Sequence, residues 1–295
     1  MTHVAVLPDA TPLNSTRFLR LLHPRTELPT LFLATDDILE VQSVSPANSR
    51  SWFIEQEVVS DGKLLVFTPV DPAFLLLPIL QSVYPENATG MFRPADEIFE
   101  DAATNLDKPS SDASKSITKE DVLYFTSMQC CRRALRCICD VKEITEDIIV
   151  YRFSREKVVQ YLQKKVVRLA TPETMEMSRT LVRNLAKDGL LEDGTEELLQ
   201  LGRVRAACDL LGQYIPPATR GALVAAYDFS SLDTYLKSLD DEKEALVVQK
   251  TTKAKTAPAL TDNKKRKDTS TGVEKLKKAK TTGMAKLSTF FAKKA

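Results

Sequence analysis

Apolar and polar positions alternate along the first part of the chain and change period near residue 70. "THVAVLP" (2–8), "TRFLRLL" (16–22) and "LPTLFLAT" (28–35) are short apolar segments bounded by Pro, Asp and Thr. In "ILEVQSV" (38–44), Ile38, Glu40 and Gln42 alternate with Leu39, Val41 and Ser43, the period of a strand. "SWFIEQEVV" (51–59) and "KLLVFT" (63–68) flank Ser60-Asp61-Gly62. Asp-Gly predicts a hairpin turn between them, because Gly tolerates the positive φ such a turn needs. The pattern as a whole predicts a small antiparallel sheet or barrel. About 70 residues is little for a self-sufficient β core, so the sheet is expected to be completed by another chain.

At "VDPAFLLLPIL" the pattern becomes helical. Asp71 suits an N-cap and Pro72 the first helical position. The segment is apolar nearly all round and should be buried, with a kink at Pro78, which lacks an N–H. Residues 101–117 resemble a flexible insertion. Thr118 should cap one helix over "KEDVLYFTSMQCCRRALRCIC", with Glu120 and Asp121 in its first turn. "DIIVYRF" (147–153) is rich in strand formers. Ser154 then starts a helix in which Val158, Tyr161, Leu162, Val166 and Leu169 form one face. "PETMEMSRTLVRNLAKDGLL" predicts a helix from Pro172 to Gly189, "EELLQLGRVRAACDLLGQYI" one that ends before Pro216-Pro217, and "ATRGALVAAY" with "LDTYLKSL" a last helical patch. Residues 91–240 thus read as a compact helical bundle of helix-turn-helix type. From about residue 249 the Lys/Thr/Ala-rich sequence has too few apolar groups to order itself.

Charge sharpens this division. Of 41 basic and 40 acidic residues, residues 249–295 hold 14 and three, leaving 27 and 37 for residues 1–248. A body near −10 thus carries a tail near +11, which suggests separate partners for the tail. An odd cysteine count (Cys130, Cys131, Cys137, Cys139, Cys208) and no basic-then-apolar start suggest a reducing compartment. The longest apolar run, around "AFLLLPIL", is far short of the ~20 residues that span a bilayer, so no membrane partner is expected.

Catalytic chemistry is poorly supplied. The chain has only His3 and His23, and no Gly-rich phosphate loop, G-x-S-x-G or H-E-x-x-H. Glu55 and Glu57 are expected to share a strand face, as a solvated pair or a metal pair. The cysteine spacing (adjacent, then six, then two) lies within a helical pattern rather than a C-x-x-C turn. Small core residues or a metal or redox cluster both satisfy it. No catalytic residue, metal ligand or resident cofactor is assigned.

Three stretches carry a resemblance. "SWFIEQEVVSDGKLLVFTPVDPAFLLLPIL" (51–80) resembles the central segment of the B-subunit family of eukaryotic ribonuclease H type 2, in which S-W-F-I-x-Q, T-P-V-D-P and F-L-L-L follow in this order. "RFSREKVVQYLQKKV" (152–166) is similar to the family's S-K-E-K helix start, and "LLGQYIPPATRGAL" (210–223) to its D-Y-I-P helix end. Order and spacing agree over roughly 50–240. Pro78 and the 101–140 region depart from the pattern.

The resemblance implies an α+β chain. A small N-terminal β-barrel-like domain completed by a partner chain (1–90) precedes a helical winged-helix-like domain (91–240), a disordered basic linker (241–283) and a terminal peptide (284–295). It implies a non-catalytic component whose strands intertwine with the C subunit and clamp the catalytic A subunit. That catalytic partner would supply the carboxylates and Mg²⁺ that cut RNA in RNA–DNA hybrids or 5′ of single ribonucleotides in DNA, as ribonucleotide excision repair requires. Trp52, Phe53, Ile54, Phe67, Pro69, Asp71 and Pro72 fall in the matched stretch as interface or core residues.

The tail adds two motifs. Lys264, Lys265, Arg266 and Lys267 form a basic cluster suited to nuclear import, to loose phosphate contacts or to solvation alone. In "MAKLSTFF", Leu287, Phe290 and Phe291 stand at i, i+3 and i+4, one face of a single turn that a partner's pocket would order. This is similar to the PCNA-interacting peptide, with Met284 where that pattern has Gln. The expectation is a nuclear scaffold that holds the A and C subunits and tethers the complex to PCNA. One rival is a DNA-binding adaptor that reads duplex with "SRTLVRNLAKDG", where Arg179, Arg183 and Lys187 recur at i, i+4 and i+8; a solvated face explains the same stripe. A stand-alone nuclease is the other rival.

Overall fold

The computed structural model describes residues 2–9, 16–84, 90–107, 116–145 and 148–255, with side chains described to residue 244. Seven strands open the chain: β1 (Val4–Val6), β2 (Arg17–Leu22), β3 (Pro29–Ala34), β4 (Ile38–Val44), β5 (Trp52–Ile54), β6 (Glu57–Val59) and β7 (Leu64–Pro69). Then come α1 (Pro72–Val83), β8 (Arg93–Pro94), α2 (Ala95–Leu106), α3 (Lys119–Ser127) and α4 (Gln129–Ile138). They are followed by β9 (Cys139–Glu143), β10 (Ile149–Phe153), α5 (Arg155–Leu169), α6 (Pro172–Glu176), α7 (Arg179–Lys187), α8 (Glu196–Leu211), α9 (Pro217–Ala225) and α10 (Ser230–Lys255).

The first sheet has the order β1-β7-β4-β3-β2. It is antiparallel except for β1, which runs parallel to β7, a departure from the antiparallel sheet expected. Register assigns its two faces, because residues directly opposite share a side. Leu19, Leu21, Phe32, Ala34 and Ile38 lie on one face and are buried in the main core with α1 and the helices that follow. Phe18, Leu33, Leu39, Val41 and Phe67 lie on the other, where Leu33, Leu39 and Phe67 form only a small cluster with Leu7, Val41 and Leu65.

The expected hairpin across Asp61-Gly62 does not form. Instead β5 and β6 pair with each other across Glu55-Gln56, and β7 joins β4. The positive φ sits at Glu55 (52°), not at Gly62. What Gly62 supplies is space, since a Cβ there would lie 2.3 Å from the carbonyl oxygen of Arg50. Glu55 occupies the turn and Glu57 a strand, so the two do not share a strand face.

Asp71 caps α1 as the sequence predicts: its Oδ1 accepts the Ala73 N–H at 2.9 Å, with Pro72 in the first turn. Every residue from Ala73 to Leu80 is buried, Pro78 included, and the helix runs as one span through Pro78. Thr118, Ser154 and Ser178 cap α3, α5 and α7. The single helix expected from Thr118 is two. It breaks at Ser127-Met128, where the Thr126 and Ser127 hydroxyls bond back to carbonyls of the preceding turn. Likewise the helix expected from Pro172 breaks at Met177-Ser178, because Ser178 caps a new one.

Residues 101–106 belong to α2 rather than to a flexible insertion. Ala102, Ala103 and Leu106 continue the buried stripe of Ile98 and Phe99; residues 108–115 lie outside the described residues. The strand β9 at Cys139–Glu143 was not expected; with β10 and β8 it forms a sheet in the order β8-β10-β9. Two consecutive helices, α3 and α4, leading into the β9–β10 hairpin give a winged helix-turn-helix rather than a purely helical bundle.

The division expected at residue 90 does not divide the core. Leu19 and Phe32 of the sheet, Leu76 of α1 and Leu135 of α4 belong to one buried cluster. The described residues up to 240 pack as one unit. Beyond it, backbone helix continues to Lys255, into the stretch expected to be disordered.

Candidate partner-assembly surface

The site-bearing part of the β domain is its outer side and the β5–β6 hairpin. Trp52 anchors the hairpin: its indole N–H donates to the carbonyl of Lys63 at 3.0 Å, at the start of β7. The adjoining residues are bare. Phe53 is 81% exposed, Ile54 45% and Val58 61%. Phe18, Val6 and Val44 on the sheet are also exposed. A three-residue hairpin strand holding such side chains in water has no stabilising use for them in the isolated chain. Seven of the fourteen exposed large apolar side chains among the described residues fall within residues 6–58, three of them on this one hairpin, which makes it a candidate contact surface.

The remaining matched residues are placed differently. Phe67 is buried in the small second cluster, 6.3 Å ring to ring from Phe18. Pro69 is exposed opposite Leu39 at the end of β7. Asp71 and Pro72 serve the α1 N-terminus, and Asp71 does more. Its Oδ2 accepts the Tyr161 hydroxyl at 2.7 Å and pairs with the Lys165 ammonium, which lies over the Phe74 and Tyr161 rings. Burial first, then the hydrogen bond to Asp71, pushes the Tyr161 phenol well above its usual pKa. This junction ties the end of the β domain to α5.

A second polar cluster lies between the sheet and the α8–α9 connection. Glu40 is 7% exposed. Its Oε2 accepts from Tyr214 Oη and Gln42 Nε2, both at 2.9 Å, and His23 Nε2 lies 4.0 Å from Oε1. The sequence pattern put Glu40 on a strand; nothing in it announced burial or the partner at 214. Two further contacts tie β2 to α3. Asp121 accepts from the Arg20 backbone N–H at 3.1 Å and from Arg17 at 3.2 Å.

Four of the five cysteines are packed into the interior. Cys130, Cys131, Cys139 and Cys208 are buried and Cys137 is exposed. Burial pushes the Cys139 thiol up to about 12 and Cys208 up to about 11, so neither is a thiolate near neutrality. Among the described residues no group of three or more His, Cys, Asp or Glu is placed to hold a metal ion, and no helix is long and apolar enough to cross a membrane.

Arg179, Arg183 and Lys187 are all exposed on α7. The helix that leads into the wing is α4, however, and the second helix of a helix-turn-helix is the one that enters a groove. The stripe that the rival reading assigned to a duplex reader therefore lies on a helix outside the α3–α4–β9–β10 unit. The Lys264–Lys267 cluster and Met284, Leu287, Phe290 and Phe291 lie outside the described residues.

Residues 6–71 match the model of the Ydr279p protein triple barrel domain. Residues 74–224 match that of the Ydr279p protein family (RNase H2 complex component) wHTH domain. The chain is 28% identical over 306 residues to the B subunit of ribonuclease H2 from Schizosaccharomyces pombe, covering 96% of this chain and 97% of that protein. It is 26% identical over 307 residues to the Xenopus tropicalis counterpart, covering 96% and 88%. The fold is thus a triple-barrel domain followed by a winged helix-turn-helix. The chain belongs to the Ydr279p family of RNase H2 complex components.

Proposed function

We propose that this chain is the non-catalytic scaffolding and targeting component of a trimeric ribonuclease H type 2. Its β domain holds the A and C subunits. The observation that carries this reading is the exposure of Phe53, Ile54 and Val58 on the β5–β6 hairpin, with Phe18 exposed on the outer face of the sheet, in the triple-barrel domain of a complex component. A sheet with a small second core and an exposed apolar hairpin gains most of its burial from a partner. The catalytic A subunit supplies the carboxylates and Mg²⁺ that cleave RNA in hybrids and beside single ribonucleotides. The tail brings the complex to its work: Lys264–Lys267 direct nuclear import, and Met284, Leu287, Phe290 and Phe291 tether it to PCNA. A tether raises local concentration at replicating DNA without altering the chemistry.

Co-expression with candidate A and C subunits, followed by mass measurement of the complex, tests the reading. A stable 1:1:1 complex whose hybrid-cleaving activity is lost when the catalytic partner is omitted is the expected result. Mg²⁺-dependent cleavage by this chain alone would establish a nuclease and overturn it.

A further inference from the structure

The helix in the groove-reading position is poorly equipped for that role. On α4, Arg132 is paired with Asp96 at 2.5 Å and Arg136 with Glu143 at 3.8 Å, which leaves the exposed Arg133 as its one cation outside an ion pair among the described residues. Further along, Arg205 is paired with Asp233 and Arg220 with Asp209. Other cations, such as Arg155, Lys164 and Arg203, make no ion pair among the described residues, but those of α7 stand in a row. Arg179, Arg183 and Lys187 make no ion pair among the described residues. The helix itself, RTLVRNLAK, contains no acidic residue, and Thr180 and Asn184 add neutral donors to the same exposed side.

The platform beneath is ordered. Ser178 caps the N-terminus, Leu185 is 6% exposed against Leu190, Phe229 and Leu232, and Gly189 (φ 67°) ends the helix. Lys187 suits the last turn of α7, where the macrodipole favours a cation, but Arg179 in the first turn does not, so the row as a whole is not explained by helix stability. The three cations lie on one turn-to-turn row, spread over about 12 Å. That row spans several phosphates of a duplex, which carries one charge per about 1.7 Å of its axis.

We propose that α7 is a sequence-blind docking strip for the phosphate backbone of a nucleic-acid duplex, contacted by Arg179, Arg183 and Lys187 with support from Thr180 and Asn184. The chemistry selects this occupant. Within α7 the exposed side carries cations and neutral polar groups, with the exposed Met177 just before its Ser178 cap, and it has no aromatic ring on which unpaired bases would stack. Donors alone position a backbone and do not read bases. The inference rests on the reading of the chain as part of a complex that works on nucleic acid. It moves the contact away from α4.

The test uses the full chain and a labelled RNA–DNA hybrid and DNA duplex, read by fluorescence anisotropy across a salt series. Arg179→Gln/Arg183→Gln/Lys187→Gln should weaken binding to both duplexes by similar factors, about tenfold or more at low salt. It should also flatten the dependence of log K on log salt by about 2–3. Neutralising Lys264–Lys267 in parallel separates the contribution of the tail. Hydrogen exchange at 179–187 should slow when hybrid is added. Unchanged affinity and slope with no protection of α7 would overturn the proposal, as would a loss caused by Arg133→Gln and not by the α7 variant. Co-purification with the A and C subunits is measured on the same variants, so a failed assembly is told apart from a failed duplex contact.

Discussion

The Tyr161 hydroxyl donates to Asp71 Oδ2 at 2.7 Å, joining residues 90 positions apart. The same carboxylate caps α1 through its other oxygen and pairs with Lys165. One side chain therefore fixes the helix start and the approach of α5 together. Tyr161→Phe removes only the hydroxyl and should cost about 1–2 kcal/mol. Asp71→Ala removes cap and network and should cost about 2–3 kcal/mol. Urea unfolding of the two single variants and the double variant measures this. The double variant should be no worse than Asp71→Ala, because both changes delete the same bond.

His23 gives the stability a dependence on pH. Burial lowers its pKa below the usual 6.5, against the attraction of Glu40 and with help from Arg25. The geometry agrees, since Nδ1 accepts the backbone N–H groups of Arg25 (3.2 Å) and Thr26 (3.4 Å) and has no room for a proton. The unfolded chain therefore binds the proton first. Stability rises with pH in this window and is lost as pH falls from the unfolded pKa of 6.5 toward the lower folded one. The urea midpoint should drop between about pH 7.5 and pH 5.5. His23→Asn, which keeps an acceptor near the two N–H groups, should flatten that drop.

Glu55 and Gly62 make opposite predictions from those their residue types suggest. Glu55 holds a positive φ that favours glycine, so Glu55→Gly should stabilise the hairpin by up to about 1 kcal/mol. Gly62→Ala places a methyl 2.3 Å from the Arg50 carbonyl oxygen and should cost about 1–3 kcal/mol. Trp52 is the single tryptophan and bonds the start of β7, so its fluorescence reports on the hairpin directly. A red shift is expected for Gly62→Ala and none for Glu55→Gly.

These positions also show what the sequence could convey. Strands β2, β3 and β4 follow from their short apolar segments, and the caps Asp71, Thr118 and Ser154 from short-range chemistry. The partner of β7 is β4 rather than β5, and β1 runs parallel to β7; such pairings are set by distant residues that no local pattern records. The helix break at Met177-Ser178 does leave a local mark, because Ser178 is a preferred N-cap that the apolar pattern on either side overrode; the break at Ser127-Met128 shows only in the back-bonded hydroxyls of Thr126 and Ser127. The bare hairpin at Phe53 and Ile54 was readable as apolar but not as exposed. Glu40 was readable as a strand residue but not as the acceptor for Tyr214, 174 positions away. That Arg179, Arg183 and Lys187 lack ion pairs among the described residues emerged only from the structure.

The proposed roles of hairpin and tail can be separated by one pair of variants. The side chains of Phe53 and Ile54 are exposed and their β5–β6 pairing is made by backbone, so Phe53→Ala/Ile54→Ser should change the chain's stability by no more than about 0.5 kcal/mol. The same change should sharply lower co-purification with the C subunit, since exposed aromatic and aliphatic anchors dominate interface energies. Trp52→Ala should damage assembly as well, but it also removes the indole bond to Lys63 and so mixes folding with binding. Phe290→Ala/Phe291→Ala should do the reverse, abolishing capture by PCNA while the assembled complex keeps its hybrid-cleaving rate. Size-exclusion profiles, PCNA pull-down and hybrid cleavage on both variants give a two-by-two result. If the hairpin variant assembles as well as the wild type, the β domain is not held by the C subunit through this surface. If the tail variant loses cleavage, the tail does more than tether.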